Sequence, residues 1–341
     1  MKTVLVTGPA GFLGHHVIRQ LNSNGIRPRV LLPPDLDDDL PNVKALNQQN
    51  VEIIPGDIDD PAVLQAACSG VDTIMHLHFE ITLGGGPSAK KALHEENVQG
   101  TRNLLDAAAK ARVPRVVISS SALAVGLHHE ANTLDENADW EQYAFSLPYA
   151  ESRRDAEQMA LSQTGLNLPE VVVVNPSFTL GPHDWIGAPA NRLVMAMTSP
   201  KFCITAPIGF GVLDVRDYAD GVIRAAERGK PGRRYILSSD NLTPHQLAHE
   251  VAGAVGNKPS KHFFNLRTWI VYPIVVLVEL WSKLRGKSSP VTRDILELWG
   301  RYAWYDNSLA RNELGWNPRP LQETLRDTIE WHKQNSAKEK D

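Results

Sequence analysis

The tightest constraint on this chain lies at its N-terminus. An apolar run, Val4-Leu5-Val6-Thr7, passes directly into Thr7-Gly8-Pro9-Ala10-Gly11-Phe12-Leu13-Gly14 and then into the helical stretch His15–Leu21. Glycines at 8, 11 and 14 between a strand and a helix have separate duties. The first permits a tight turn, the second lets backbone approach a pyrophosphate, and the third lets the helix pack closely on the strand. The helix N-terminus then offers partial positive charge to the anion. Glycine spacing alone is weak evidence, but the strand–turn–helix context makes Gly8, Gly11, Phe12, Leu13 and Gly14 candidate dinucleotide contacts.

The rest of the chain repeats the strand-then-helix pattern. Thr3–Thr7, Arg29–Leu32, Val51–Ile54, Thr73–Leu77, Val116–Ser119, Val171–Asn175 and Arg234–Leu237 are apolar and β-branched, mostly without polar alternation, as expected of strands buried on both faces. Between them, Gly11–Asn22, Pro61–Ala67, Ala92–Lys110 and Tyr149–Gln163 carry apolar residues at three-to-four spacing. The expected fold is α/β, a doubly wound parallel sheet (Rossmann fold) with a smaller, discontinuous C-terminal lobe. After Asn175 the pattern loosens into Gly/Pro-rich loops, returning to helix at Val215–Glu227. Residues 1–176 and 214–239 are therefore assigned to a dinucleotide-binding domain, and 177–213 and 240–341 to a substrate lobe.

Composition removes several function classes. With 35 basic and 39 acidic side chains the formal charge is −4, which gives no basic excess to hold nucleic acid. Cys68 and Cys203 are too far apart in sequence for a CxxC pair, which argues against a disulfide scaffold or zinc site and fits a reduced cytoplasm. The N-terminus meets glycine too early for a signal peptide. The longest apolar region, Trp269–Leu284, is interrupted by Pro273, Glu279 and Lys283 and is too short to span a bilayer. It is expected to line a pocket or touch a membrane surface. Six of the eight tryptophans follow residue 268, as though the substrate lobe carried an apolar wall. His15-His16 and His128-His129 are expected on helix and loop surface, and His76-Leu77-His78 lacks a third ligand for a metal.

Cofactor selection is normally made at the end of the second strand, by an acid for the ribose 2′-OH of NAD or an Arg for the 2′-phosphate of NADP. Here the chain has Leu31-Leu32-Pro33-Pro34 and then the acidic run Asp35–Asp39, most simply a solvated loop, while Arg29 would have to reach around the strand. NAD versus NADP stays open. Asp57, after the third strand, suits the adenine amine, a helix cap ahead of Pro61 being the lesser alternative. Beyond the fifth strand, Ser121 can donate a hydrogen bond to a carbonyl oxygen that Tyr149 serves as proton donor or acceptor, if the phenol's ordinary pKa of about 10 is lowered. Taken singly, a buried tyrosine and a helix-capping serine are equally easy readings.

These residues resemble the extended short-chain dehydrogenase/reductase (NAD-dependent epimerase/dehydratase) family, over nearly the whole chain. The motifs are Thr7–Gly14, Gly56-Asp57-Ile58, Asn97-Val98-Gln99-Gly100-Thr101-Arg102-Asn103, Ser119-Ser120-Ser121, Tyr149, Asn175-Pro176, Gly181-Pro182, Asp214-Val215-Arg216-Asp217 and Asn312–Pro318. The segment from Phe263 to Arg293 is most similar to the 3β-hydroxysteroid dehydrogenase and dihydroflavonol reductase branch. The resemblance implies cofactor contacts at Asp57, Ile58, Leu77, His78, Ser119, Tyr149, Arg153, Asn175, Pro176 and Ser177, with amides near Ser177 at the nicotinamide carboxamide. It implies that Asn97 stabilises the site near the tyrosine, a helix-start cap being the alternative, and that Asp214 and Arg216 join the lobes. It also implies a homodimer formed through the helices beginning near Ala92 and Tyr149.

Two departures stand out. The family's lysine four residues after the tyrosine is Arg153 here, which keeps the charge but cannot lose a proton in a relay. Where the family has small residues beside the cofactor, this chain has His78 and Phe79, followed by Gly84-Gly85-Gly86, expected as a mobile loop over the cofactor. The leading expectation is an NAD(P)-dependent ketoreductase or alcohol dehydrogenase for a fairly apolar small molecule, with Ser121, Tyr149 and Arg153 catalytic. The alternatives are a nucleotide-sugar epimerase or dehydratase, and a weakly active or non-catalytic dinucleotide-binding protein.

Overall fold

The computed structural model describes residues 1–81, 86–163, 165, 168–198, 203–205, 207–256, 263–265, 268–285 and 293–338. Strands β1 (Val4–Thr7), β2 (Arg29–Leu32), β3 (Glu52–Pro55), β4 (Thr73–His76), β5 (Arg115–Ser119) and β6 (Glu170–Pro176) come first. Then follow β7 (Phe178–Leu180), β8 (Cys203–Thr205), β9 (Gly209–Asp214), β10 (Arg234–Leu237), β11 (Asp240–Leu242), β12 (Phe263–Asn265) and β13 (Tyr302–Ala303). All seven expected strands are present and make one parallel sheet in the order β10-β6-β5-β4-β1-β2-β3.

The missing alternation has a direct cause. Along β1, Val4 and Val6 enter one core with Val30, Met75, Val117 and Val172, while Leu5 enters the other with Leu31, Ile74, Val116 and Val173. Helices Phe12–Ser23 and Val215–Arg228 contribute apolar residues to the first core, and Pro61–Cys68 and Gly100–Ala111 to the second. Strand order reverses at β1, which pairs with both β2 and β4. Open α/β sheets bind ligands beyond the carboxyl ends of strands at such a point.

A second sheet is built on β9, paired antiparallel with β11 and parallel with β7 and β13. Helices Pro189–Met197, Pro244–Ala254 and Leu321–Lys338 share its core through Val194, Leu247, Val251, Leu325 and Ile329. This region joins the first through charge: Arg216 pairs with Asp214 at 2.7 Å and Asp327 at 2.6 Å, and Arg319 with Asp217 at 3.0 Å. Trp316 is buried and donates its indole N–H to the Asp217 carbonyl at 2.9 Å.

Two expectations are corrected here, and a third falls mostly outside the described residues. The late tryptophans form no common wall: Trp316 is in the core, Trp331 packs edge-on to Trp185, and Trp269 and Trp281 are exposed. Gly84 and Gly85 lie outside the described residues, and Gly86 opens the helix Gly86–Leu93. His15 and His16 are buried, because the loop after β7 folds over them: His15 meets Trp185 edge-on at 4.7 Å, and His16 Nε2 donates to the Pro182 carbonyl at 2.9 Å.

Burial, aided by the charges of His183 and Arg19, lowers His15 from 6.5 to about 4. Burial likewise lowers His16 to about 3. The unfolded chain therefore takes up these protons below about pH 6.5 while the folded chain refuses them. Their contribution to stability is whole above that pH and is lost as pH falls toward the folded values, at up to about 1.4 kcal/mol per pH unit for each titrating ring. The thermal unfolding midpoint is expected to fall between pH 7 and 5. His16→Gln, which keeps a donor for Pro182, should flatten that slope; an unchanged slope would contradict the assignment.

Candidate active site

The glycine turn has no room for side chains. Gly8 has φ +68°, and a Cβ there would lie 2.9 Å from the backbone N and Cα of His78. At Gly14 a Cβ would meet the Gly8 carbonyl oxygen at 2.1 Å. Gly11 is the N-cap of the helix Phe12–Ser23, which carries neither a side-chain cap nor an acid in its first turn. Its leading amides are thus left for an anion. Phe12 and Leu13 occupy that first turn, Phe12 packed edge-on to His16.

A chain of hydrogen bonds runs from this turn to the tyrosine. The Thr7 hydroxyl accepts the amides of Leu77 and His78, each at 3.2 Å, and donates to His76 Nδ1 at 2.8 Å. His76 Nε2 then donates to Thr101 Oγ1 at 3.0 Å, and Thr101 to the Asn97 carbonyl at 2.6 Å. This network assigns the proton to Nε2. Burial, reinforced by His78 and Arg153, holds His76 well below its ordinary pKa, so it is neutral. Asn97 donates to Ser152 Oγ at 3.0 Å, and Ser152 to the Tyr149 carbonyl at 2.8 Å. Asn97 also exchanges hydrogen bonds with the Glu80 backbone, so it bridges two elements and does not cap a helix start. Sequence reasoning treated His76 only as half of an HxH pair. The usable signal was that Thr7 and His76 end neighbouring strands, and they are register partners.

Helix Pro148–Ser162 starts with proline in its first turn, which sets Tyr149 at its mouth and Arg153 and Glu157 on one face below it. The phenol of Tyr149 lies beside the Ser121 side chain. Burial raises its pKa above 10, against the opposing pull of Arg153 and Ser121. Ser121 accepts the Leu123 amide at 3.2 Å, so it caps the short helix Ala122–Ala124 while facing the tyrosine. Arg153 is fully buried; Nη2 donates to the Ser119 carbonyl, and the guanidinium lies 4.6 Å from the Phe79 ring centroid. Burial lowers its pKa, while Tyr149 and Glu157 favour the cation. Glu157 accepts from Asn175 at 2.7 Å and Arg234 at 3.1 Å, and Asn175 also donates to the Ser121 carbonyl at 3.0 Å.

The remaining candidates fall in different places. Asp57 is exposed beside buried Ile58, and it is not the helix cap: Asp60 accepts the amides of Ala62 and Val63. Leu77 is buried against the glycine turn, and His78 bonds Glu96. The Ser177 amide donates to the Leu237 carbonyl at 3.0 Å, so that amide is not free for a carboxamide. Arg29 is held at the far end of β2 by the carbonyls of Ala67 and Ser69, at 2.8 and 2.9 Å, and so is spent. Arg153 Nε and Nη1, Ser120 Oγ, Asn175 Oδ1 and Ser177 Oγ are buried with no hydrogen-bond partner among the described residues. Unpaired buried donors and acceptors are costly, and together with the uncapped helix they fit a ligand bearing phosphates, ribose hydroxyls and an amide.

Gly14→Ala is expected to weaken NADH binding at least about tenfold, because the backbone carbonyl it strikes cannot yield. Gly253→Ala, with nothing nearer than 3.8 Å, serves as the control. Fluorescence titration of NADH reads both, and equal affinities would remove the glycine turn from the binding site.

Residues 4–238 match the NAD dependent epimerase/dehydratase family. A putative dihydroflavonol 4-reductase of Synechocystis is 29% identical over 96% of this chain and 93% of its own length. The sterol-4-alpha-carboxylate 3-dehydrogenase ERG26 of Saccharomyces cerevisiae is 25% identical over 97% and 98%. Among solved structures, that of gox2253 superposes with a TM-score of 0.81 at 31% identity, covering 98% of this chain and 99% of the other. A dTDP-glucose 4,6-dehydratase of Streptomyces venezuelae, solved with NAD, shares the fold at a TM-score of 0.75 and 20% identity, covering 98% of each chain. With residues 4–238, more than half of its length, matched, the chain belongs to the NAD-dependent epimerase/dehydratase family, the extended short-chain dehydrogenases/reductases.

Proposed function

We propose that this protein interconverts a ketone and a secondary alcohol on a fairly apolar small molecule. The observation that carries the proposal is the placement of Tyr149 beside Ser121 and the buried Arg153 cation, inside an apolar cluster that includes Phe79, Leu123, Phe145, Leu298 and Ala303. When bound, the nicotinamide supplies or accepts the hydride. Ser121 donates a hydrogen bond to the substrate oxygen, and Tyr149 gives that oxygen its proton in reduction or removes it in oxidation. Arg153 takes the place of the family lysine, its unpartnered Nε and Nη1 offered to ribose hydroxyls. Gly8, Gly11 and Gly14 hold the pyrophosphate, with Asp57 and Ile58 toward adenine, and Ser120, Asn175, Pro176 and Ser177 toward the nicotinamide end.

With Arg29 held elsewhere and Lys44 bonded to Asp39 at 2.8 Å, the segment after β2 presents mainly carboxylates, which favours the unphosphorylated ribose of NAD. We further propose residues 1–176 and 214–239 as the cofactor domain, and a homodimer formed through the helices near Ala92 and Tyr149, which a monomeric mass in solution would contradict. A second reading, a nucleotide-sugar epimerase or dehydratase, draws on relatives such as the UDP-glucose 4-epimerase of Yersinia pestis, 27% identical over 97% of this chain.

Tyr149→Phe is expected to lower turnover about 10²- to 10⁴-fold while leaving NADH affinity within a factor of about two. Because burial raises the Tyr149 pKa, the proton donor stays loaded through neutral pH. Reduction should be flat from pH 6 to 8 and fall in alkali, while oxidation rises over the same alkaline range. A ketone panel with NADH and NADPH measures this. Activity confined to sugar nucleotides would favour the second reading. No wild-type turnover, with activity gained by Arg153→Lys, would mark a non-catalytic binder.

A further inference from the structure

Helix Thr268–Leu284 shows solvent the wrong side chains for a protein surface. Trp269 is 72% exposed, Leu277 67% and Leu284 86%, and Tyr272, Ile274, Leu280 and Trp281 are also exposed. Trp269, Leu277, Leu280 and Leu284 recur at helical spacing and form one continuous apolar face, while Val275 and Ser282 are buried on the opposite side. No helix among the described residues is long and apolar enough to cross a membrane. The face therefore lies on something.

Charge identifies the occupant. Residues 257–293 hold seven basic side chains, Lys258, Lys261, Arg267, Lys283, Arg285, Lys287 and Arg293, against the single acid Glu279, in a chain of net charge −4. Glu279 is itself paired with Arg293 at 2.8 Å, so the helix offers no free carboxylate. At one end stand Trp269 and Tyr272. At the other, Arg285 lies 3.6 Å over the Trp281 ring. Aromatic rings at both ends of an apolar face, with the Arg285 cation at one of them, suit the headgroup layer of a bilayer, where rings sit at the apolar boundary and cations meet phosphate. A second copy of this chain fits poorly, because a two-fold contact sets the patch against itself and brings the Arg285 cation against its own copy.

We propose that this helix docks the protein, lying flat, on an anionic lipid membrane. The test is co-sedimentation of the full chain with vesicles of phosphatidylcholine alone and of equal parts phosphatidylcholine and phosphatidylglycerol. The wild type is expected to sediment with the anionic vesicles, remain free of the neutral ones, and be released by high salt. A triple variant, Trp269→Ser with Leu277→Ser and Leu284→Ser, alters only exposed residues away from the candidate site. It should keep wild-type thermal stability and NADH binding while binding anionic vesicles at least about tenfold more weakly. Failure of the wild type to bind anionic vesicles, or equal binding by the variant, overturns the proposal. Lipid-free self-association that the variant abolishes, with no vesicle binding by either protein, overturns it in favour of an interface between copies.

Discussion

The site is organised around a positive charge that has been taken out of water. Arg153 is fully buried, and a guanidinium in that position demands compensation from whatever surrounds it. The Ser119 carbonyl at the end of β5 takes one nitrogen, the Phe79 ring covers the plane, and Glu157 lies one helical turn below. Glu157 in turn binds Asn175 on β6 and Arg234 on β10. One alternating series of charges thereby fastens the tyrosine's helix to three strands. Removing one member leaves a partner charge buried, a loss of about 3–5 kcal/mol in comparable settings. This also explains why the two departures from the family pattern occur together. A lysine ammonium is a compact point charge with no plane to lie along an aromatic face, whereas Arg153 uses Phe79 as a surface.

A second, uncharged network fixes the same helix relative to the glycine turn. The series from Thr7 through His76, Thr101, Asn97 and Ser152 ends on the Tyr149 backbone, and its two imidazole bonds need His76 neutral with its proton on Nε2. Burial enforces that state. Glycine turn and phenol are thus held at one spacing by hydrogen bonds that lie almost wholly inside the protein, so the positions of the turn and of Tyr149 are set together.

Where local pattern determines structure, the sequence was readable. The seven strands of the main sheet were found because strands buried on both faces write continuous apolar runs, and the glycine turn because its backbone forbids any other residue at 8 and 14. The second sheet was passed over, since β7 and β11 are three residues long and β9 carries Gly209 and Gly211, which look like loop. His15 and His16 were assigned to the surface because their cover, Pro182 to Trp185, arrives from a remote part of the chain. The spent Ser177 amide and Arg29 were invisible for the same reason: their partners are backbone carbonyls, and a carbonyl has no letter in the sequence.

The proposed substrate class follows from which charges remain available near the tyrosine. A sugar nucleotide brings a diphosphate, which needs uncommitted cations beside the sugar site. Of the arginines bordering the Tyr149 cluster, Arg301 bonds the Ala144 carbonyl and Glu297, and Arg154 lies over the Trp140 ring beside Asp155. The apolar cluster that contains Tyr149 also contains Phe79, Leu123, Phe145, Leu147 and Leu298. Burying a diphosphate against such a surface costs far more than burying a ring system of carbon, so the same walls that raise the Tyr149 pKa also argue for an apolar ketone.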